Sequence, residues 1–265
     1  MIQNIIRPHK LTALIHNDPY TKRSFEKPCG YPGDASLLDY IFGVGYIDHN
    51  ISEIGKKILS YTTNSPASTA VWNRAQLISQ YIDNFADKKK NLRVLSLAAG
   101  HLREANFSTA IKNKKIDYFL AIDHDDKSLE VINNSYSKYG IETMTCSVFD
   151  LIRGKKNLEI KNFDFVYASG LYDYLSLRMA TRLTKYMFDM LNPNGGKLLV
   201  TNFLPGTRDI GYMESFMDWN LIYRELDELN EFAKKIPIEE IKEKRLFRDE
   251  LNNIAFLEIT KICKI

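Results

Sequence analysis

Residues 92–104 read LRVLSLAAGHLRE, an apolar run that ends in small residues and a glycine before charged side chains begin. A short apolar run closed by a turn residue is typical of a buried strand, so we predict a strand at 92–99 and a helix at 101–114. The same alternation continues to residue 203. Strands that alternate with helices predict βαβ units and a mainly parallel sheet covered on both faces.

Further strands are expected on either side of this pattern. The first five strands are predicted at 92–99, 117–123, 141–150, 163–170 and 197–203. In the tail at 247–263, the alternation of Ile254, Phe256 and Ile259 predicts two more strands, and their short spacing favours an antiparallel pair. The expected fold class is α/β: a Rossmann-like doubly wound sheet of seven mainly parallel strands, with an antiparallel C-terminal edge pair and a helical N-terminal cap.

The first 90 residues have a different pattern, which is mostly helical and is broken by PCGYPG and NSPAS. Ser68 or Thr69 is expected to cap a helix that runs through AVWNRAQLISQYIDNFA. We therefore expect two domains: a helical cap or lid at 1–90 and an α/β core at 91–265, with a helical insertion at about 205–245.

Composition excludes several classes of protein. A formal net charge of +3 with scattered lysines argues against a nucleic-acid partner. The three cysteines form no CxxC pair, which argues against a disulfide framework or a structural zinc site and favours a reducing, cytoplasmic setting. No run approaches the roughly 18 apolar residues of a spanning helix, so no stable membrane insertion is expected. The oligomeric state is not predicted.

The residues just after each strand are the informative ones, because ligands of doubly wound sheets bind at the carboxyl ends of the strands. After the first strand, Gly100 lets a ligand approach the backbone, and Ala98 is small. Asp123 ends the second strand, where a carboxylate can accept hydrogen bonds from both hydroxyls of a ribose. His124 follows it at the edge of the expected site.

The third and fourth strands also end in candidate binding residues. After the third strand, Phe149 is expected to face an adenine and Asp150 to accept from its exocyclic amine. The turn after the fourth strand offers a small floor followed by polar side chains: Ser169, Gly170, Tyr172, Asp173 and Tyr174. The strand ends together predict a binding crevice.

The glycine pattern argues against a dinucleotide ligand. Only one glycine of G-x-G-x-x-G is present, although a pyrophosphate needs close backbone approach at a helix start. No P-loop lysine motif occurs in the chain either. The remaining expectation is a site for a nucleoside without phosphates.

Five segments resemble the class I S-adenosylmethionine (SAM)-dependent methyltransferases, in the order and spacing of that family. They read VLSLAAGHLRE, FLAIDHDDKSLE, CSVFD, FDFVYASGLYDYL and LNPNGGKLLVTNF, and they cover about residues 92–203. The resemblance implies SAM as cofactor and methyl transfer as activity. It also implies roles at the site: Gly100 against the methionine part, Asp123 on the ribose, Phe149 and Asp150 around the adenine, and Ser169 and Gly170 near the sulfonium.

The chain departs from the family at its first motif, which usually reads D-x-G-x-G-x-G. Ser96, Ala98 and Leu102 stand in place of the acid and two of the glycines. Ser96 and Ala98 keep their places in the expected cofactor site. Glu104 becomes the candidate acid for the amino group of the methionine part.

A narrower resemblance involves two segments outside the expected core. FEKPCGYPGD at 25–34 and YMESFMDWNLIYRE at 212–225 are similar to a bacterial group of extracellular-factor 3-hydroxypalmitic acid methyl ester biosynthesis proteins. This resemblance implies methyl transfer to a small-molecule or lipid-like acceptor, at a carboxylate or hydroxyl oxygen.

Two interpretations of FEKPCGYPGD stay open. It is either a bend between two N-terminal helices or a lid that aims Tyr31 over the ligands, with Asp34 holding the loop or polarising a substrate group. A carboxylate acceptor is already ionised at neutral pH and needs no base. For a hydroxyl or amine acceptor, Tyr31, Asp34, Tyr172 and His101 are the candidates for assisting deprotonation.

Contacts with the acceptor are predicted for Asn202, Tyr174 and Arg224, and an internal carboxylate is the alternative partner of Arg224. Two alternative functions also stay open. The first is an enzyme that attacks another carbon of the SAM sulfonium. The second is a catalytically silent SAM-binding module.

Overall fold

The computed structural model describes residues 5–44, 51–155, 158 and 162–263. Contacts divide the chain into two compact units: Met1–Asn73 with Pro205–Leu221, and Arg74–Leu204 with Ile222–Ile265. The helices are α1 (Lys10–Ile15), α2 (Pro19–Glu26), α3 (Ala35–Ile41), α4 (Glu53–Thr62), α5 (Pro66–Lys88), α6 (Thr109–Lys112), α7 (Asp126–Tyr136), α8 (Val148–Ile152), α9 (Leu177–Asp189), α10 (Ile210–Phe216) and α11 (Leu226–Asn230). The strands are β1 (Leu92–Leu97), β2 (Ile116–Asp123), β3 (Ile141–Thr145), β4 (Phe165–Ala168), β5 (Lys197–Phe203), β6 (Ile241–Arg248) and β7 (Ile254–Lys261).

Side chains that cap helix starts set the bounds of the first unit's helices. Asp18 accepts hydrogen bonds from the first turn of α2, Asp34 from that of α3 and Ser52 from that of α4. Helix α5 begins at Pro66, so the expectation that Ser68 or Thr69 caps it is wrong. Proline suits the first helical position, because its fixed φ is helical and its missing N–H needs no partner there.

The second unit contains a seven-stranded sheet in the order β3-β2-β1-β4-β5-β7-β6. Strands β1 to β5 pair in parallel, whereas β7 is antiparallel to both β5 and β6. All four residues of β4 are buried, as expected for a central strand covered on both faces. The expected fold class, with its antiparallel C-terminal edge pair, is confirmed.

The segment at 101–114 is not the continuous helix that we predict from its sequence. It forms a 3-10 turn at Arg103–Asn106 and then the short helix α6. Leu102 lies in the left-handed region with φ +51°, and Ser108 caps the start of α6. A left-handed residue and an internal cap each interrupt the hydrogen-bond pattern of an α-helix, so the segment breaks into two.

Two strand bounds also differ from the prediction. Strand β3 ends at Thr145, because Ser147 caps α8 and turns the chain into a helix. Strand β6 begins at Ile241, inside the segment expected to be helical. Four successive residues of β6 are exposed, so this edge strand has no period-two pattern of apolar residues.

In the part of the chain that the structure describes, no helix combines the length and the apolar character needed to cross a membrane.

Candidate functional site

The turn after β1 has an unusual backbone. Ala98, Gly100 and Leu102 all have a positive φ, at +52°, +53° and +51°. Glycine adopts this region freely, whereas the other two residues each lose roughly 1–2 kcal/mol of conformational stability there. The Ala99 N–H donates to Ile122 O at 3.0 Å and the Leu102 N–H to Ala99 O at 2.9 Å, so the turn folds back over the end of β2.

Asp123 is held at the carboxyl end of β2. Its Oδ2 accepts a hydrogen bond from the Gly100 N–H at 2.8 Å, and its Oδ1 accepts one from the Asp125 N–H at 3.0 Å. His124 Nδ1 lies 3.0 Å from the same Oδ1. A carboxylate has about four lone-pair sites, so Asp123 keeps capacity to accept further hydrogen bonds. The structure thus fixes this acceptor between the turns that follow β1 and β2.

Glu104 is a second buried acid near the end of β1. The Tyr167 hydroxyl donates to Glu104 Oε1 at 2.8 Å, and the Ser96 side chain hydrogen-bonds the same tyrosine. Burial raises the pKa of Glu104, and the Tyr167 hydrogen bond and the positive charge of Arg74 act in the opposite direction. Ser96 and Glu104 therefore belong to one polar group, which Tyr167 connects.

Arg74 joins this group from helix α5 and was missed by our sequence reasoning. It is 6% exposed, and its charge interacts with Glu104 and with Asp173. The sequence holds a signal for it. Val71 and Ile78 lie on the apolar face of the helix, and position 74 falls on that face three residues after one and four before the other. A charged residue on an otherwise apolar stripe is unusual enough to mark a site.

Asp173 lies after β4 and is also buried, at 3% exposure. Its Oδ1 accepts a hydrogen bond from the Phe203 N–H at 2.6 Å. Burial raises the pKa of the Asp173 carboxyl to about 6, although the charges of Arg74 and Arg224 favour its ionised form. Perturbed acids of this kind cluster at functional sites.

We expect Asp173 to make stability depend on pH between about 4 and 6. The ordinary pKa of the group is 3.8, so in this window the folded chain holds a proton that the unfolded chain has released. The free energy of unfolding then falls as the pH rises. Relative to Asp173→Asn, the wild type should lose on the order of 1–3 kcal/mol across the window, as measured by urea denaturation.

The matched control is Asp227→Asn, because Asp227 is an exposed acid. This variant measures the effect of removing an acid at the surface. A difference between Asp173→Asn and the wild type that stays constant over the same pH range would contradict a raised pKa.

Ser169 and Gly170 form the turn after β4. The Thr201 hydroxyl donates to Ser169 O at 2.5 Å, which ties the turn to β5. A Cβ on Gly170 would lie 3.5 Å from Arg74 Nη2, so the backbone of this turn runs close to the guanidinium. The structure therefore brings the turn beside the group formed by Arg74, Glu104 and Asp173.

Phe149 and Asp150 lie on helix α8 instead of at a strand end. The Phe149 side chain is 44% exposed, whereas Asp150 is half-buried. An exposed aromatic ring has apolar area that a flat ligand can cover. Their roles around an adenine stay a prediction.

Tyr172 has the contacts of a core residue. Its ring is fully buried and tilted against Phe232, and its hydroxyl hydrogen-bonds Thr184 Oγ1 at 2.9 Å. Burial raises its pKa well above the ordinary value of 10.0. These contacts give no support to its predicted catalytic role. Tyr174, two residues later, is half-buried, and its electrostatic interaction with Arg74 raises the pKa of the guanidinium.

Asn202 and Arg224 are used inside the protein. Arg224 Nη1 donates to Tyr172 O at 2.9 Å and to Asn202 Oδ1 at 2.7 Å. Its Nη2 donates to Leu175 O, and Asn202 Nδ2 donates to Ile222 O at 2.8 Å. The contacts favour a partner of Arg224 inside the protein over a substrate. Its hydrogen-bond acceptors are two backbone oxygens and a side-chain amide, and not the carboxylate that was expected.

Tyr31 and Asp34 belong to the first unit. Asp34 Oδ1 accepts from the Leu37 N–H at 2.9 Å and from Arg23 Nε at 3.0 Å, and the residue is buried. Asp34 therefore holds the loop that joins α2 to α3, in which Tyr31 is half-buried. These contacts fit a bend, and the lid role of Tyr31 stays a prediction.

The sequence of the chain has little similarity to known proteins. No protein-family model matches the chain. A curated relative, tyramine–L-glutamate ligase from Methanocaldococcus fervens, is 24% identical over 172 residues, which is 63% of this chain. The chain spans about half of that relative's length, with 56% covered.

Solved structures are similar to the chain in fold over most of its length, at low sequence identity. A proposed exported protein from Bordetella parapertussis superposes with a TM-score of 0.63 at 12% identity, covering 86% of this chain and 79% of that one. A candidate O-methyltransferase from Nostoc punctiforme PCC 73102 gives 0.54 at 16% identity, covering 94% and 71%. Magnesium protoporphyrin IX methyltransferase from Synechocystis PCC 6803, solved with S-adenosylhomocysteine (SAH) bound, gives 0.52 at 10% identity, covering 83% and 90%. In its fold, the chain is similar to SAM-dependent methyltransferases.

Proposed function

We propose that the second unit binds SAM at the carboxyl ends of its parallel strands and transfers the methyl group to a small-molecule acceptor. The observation that carries this proposal is Asp123, a buried carboxylate fixed at the end of β2 by the Gly100 N–H at 2.8 Å. A charged acceptor at this point of a doubly wound sheet suits the two hydroxyls of a ribose. The fold of the methyltransferases that superpose on the chain supports the same proposal.

The residues present fit the remaining parts of the cofactor. Glu104 offers a buried carboxylate for the ammonium group of the methionine part, and Phe149 offers an exposed ring for the adenine. Gly100 has no Cβ and donates its N–H to Asp123 at 2.8 Å, so a ligand can approach the backbone there. When bound, SAM supplies an electrophilic methyl group on a sulfonium, and the chain's contribution is to hold and orient both partners of the displacement.

The proposed acceptor is a small or lipid-like molecule that offers a carboxylate or hydroxyl oxygen. This choice rests on the similarity of residues 25–34 and 212–225 to the 3-hydroxypalmitic acid methyl ester group. Of the two oxygens, a carboxylate fits the structure better. It needs no general base, and Tyr172 and Asp34, two of the predicted bases, already have structural hydrogen bonds.

The test is to incubate the purified chain with SAM and cell extract and to identify the nucleoside product by mass. We expect SAH to accumulate, because methyl transfer leaves the homocysteine nucleoside behind. Methylthioadenosine would instead indicate attack at another carbon of the sulfonium. SAM binding by calorimetry without either product would indicate a silent binding module, and each of these two results would contradict methyl transfer.

A further inference from the structure

Arg74 holds a positive charge inside the second unit. Only 6% of the residue is exposed, although a guanidinium has five N–H donors that need partners when they are taken out of water. Burial alone would favour the neutral form, and it lowers the pKa of Arg74 below its ordinary value. Arginine is rarely buried unless its guanidinium has a partner.

Its two acidic neighbours are not direct partners. Asp173 and Glu104 act on Arg74 through their charge, yet no carboxylate oxygen of the described residues forms an ion pair with it within 4.0 Å. Each acid has another donor instead, the Phe203 N–H for Asp173 and the Tyr167 hydroxyl for Glu104. The two acids thus act on the guanidinium by charge, and among the described residues its N–H groups form no hydrogen bond, which leaves these donors for a ligand.

The location of the guanidinium points to a ligand. Nη2 lies 3.5 Å from the position that a Cβ on Gly170 would occupy, so it sits beside the turn after β4. Glu104 follows β1 and Asp173 follows β4, and both therefore lie at the carboxyl ends of adjacent strands. This is the edge of the sheet at which ligands of such folds bind.

We propose that Arg74 binds a carboxylate group of a ligand in this crevice, an inference that rests on the proposed function for the position of the ligand. A planar guanidinium matches a carboxylate with two parallel N–H···O bonds, a geometry that lysine cannot reproduce. The carboxylate comes either from the amino-acid end of the cofactor or from the acceptor. A ligand that also has an ammonium group would leave the charge balance around Arg74, Glu104 and Asp173 unchanged.

The first experiment compares two nucleosides by calorimetry: SAH, which has the amino-acid end, and 5′-methylthioadenosine, which lacks it. We expect Arg74→Gln to weaken SAH binding about 10- to 100-fold and to change 5′-methylthioadenosine binding less than about twofold, since a charge-assisted hydrogen bond contributes on this scale. A structural role for Arg74 would weaken both nucleosides together. Arg182→Gln, at an exposed arginine of α9, is the matched control and should change neither affinity.

The second experiment tests the acceptor as source. Octanoate and octanol are titrated into the SAH-saturated protein, and Arg74→Gln should lose octanoate binding while octanol binding is kept. Loss in either experiment supports the proposal and identifies the source. Unchanged affinity for both SAH and octanoate would overturn it.

Two further measurements keep the test decisive. If Arg74→Gln does not fold, as judged by circular dichroism, Arg74→Lys keeps the charge near Glu104 and Asp173 and should still bind SAH or octanoate more weakly than the wild type. A wild-type protein that binds no SAH would contradict the proposed function, whereas a titration of octanoate into the protein without SAH would still test Arg74 by itself.

Discussion

Replacing Asp123 with alanine should weaken SAH binding by on the order of 1–3 kcal/mol, because the ribose hydroxyls lose a charged acceptor. The carboxylate is buried and already oriented by the N–H groups of Gly100 and Asp125. Its hydrogen bonds to a ligand would therefore form with little loss of side-chain entropy. Calorimetric titration of SAH measures the effect directly.

Two further variants separate the charge from the fold. Asp123→Asn keeps an acceptor oxygen and loses the charge, so its SAH affinity should lie between those of the wild type and Asp123→Ala. Asp117→Ala removes an exposed acid from the other end of the same strand and should leave the affinity unchanged. Wild-type affinity in Asp123→Ala would exclude this carboxylate from the site.

Replacing Arg224 with methionine should cause the largest loss of stability, about 3–5 kcal/mol of the free energy of unfolding. The guanidinium donates to the backbone oxygens of Tyr172 and Leu175 and to Asn202 Oδ1. Its removal takes the donor from Leu175 O and from Asn202 Oδ1, whereas Tyr172 O keeps the Leu175 N–H at 3.1 Å, and each unpaired buried acceptor costs about 1–3 kcal/mol. The charge that acts on Asp173 is lost as well. Urea denaturation followed by circular dichroism measures the change.

Arg248→Ala provides the matched control on an exposed arginine. Arg248 Nη2 lies 3.1 Å from Glu225 Oε2 at the surface, and exposed ion pairs of this kind contribute about 0–1 kcal/mol. A loss of similar size for Arg224→Met would mean that water or rearranged side chains satisfy Leu175 O and Asn202 Oδ1.

The sheet is largely predictable from sequence, for a physical reason. The central parallel strands β1, β4 and β5 are buried on both faces, so they appear as apolar runs, and β5 begins and ends at the residues expected, 197 and 203. The bounds of β6 could not be found in this way, since this strand is held by backbone pairing with β7 and most of its side chains face solvent. An edge strand is stabilised by pairing with its neighbour, and which strand lies beside it depends on the whole fold.

The site shows a different limit. Asp123 could be placed because its position depends only on where a strand ends. Tyr172, Asp173 and Tyr174 share one 3-10 turn, in which successive side chains point in different directions. The Tyr172 side chain packs in the core, whereas the Asp173 carboxylate interacts with the charge of Arg74. The order of residues in the turn does not show which side chain takes which direction.

The left-handed turn after β1 affects how well a sequence profile can match chains with this backbone. Ala98 and Leu102 occupy the backbone region that favours glycine, with φ of +52° and +51°. A sequence profile that rewards glycine letters at these two positions would score the chain poorly, although its backbone follows the torsions for which glycine is suited. Divergent homologues with the same substitutions would be recovered better by comparing torsion angles than by comparing residue types.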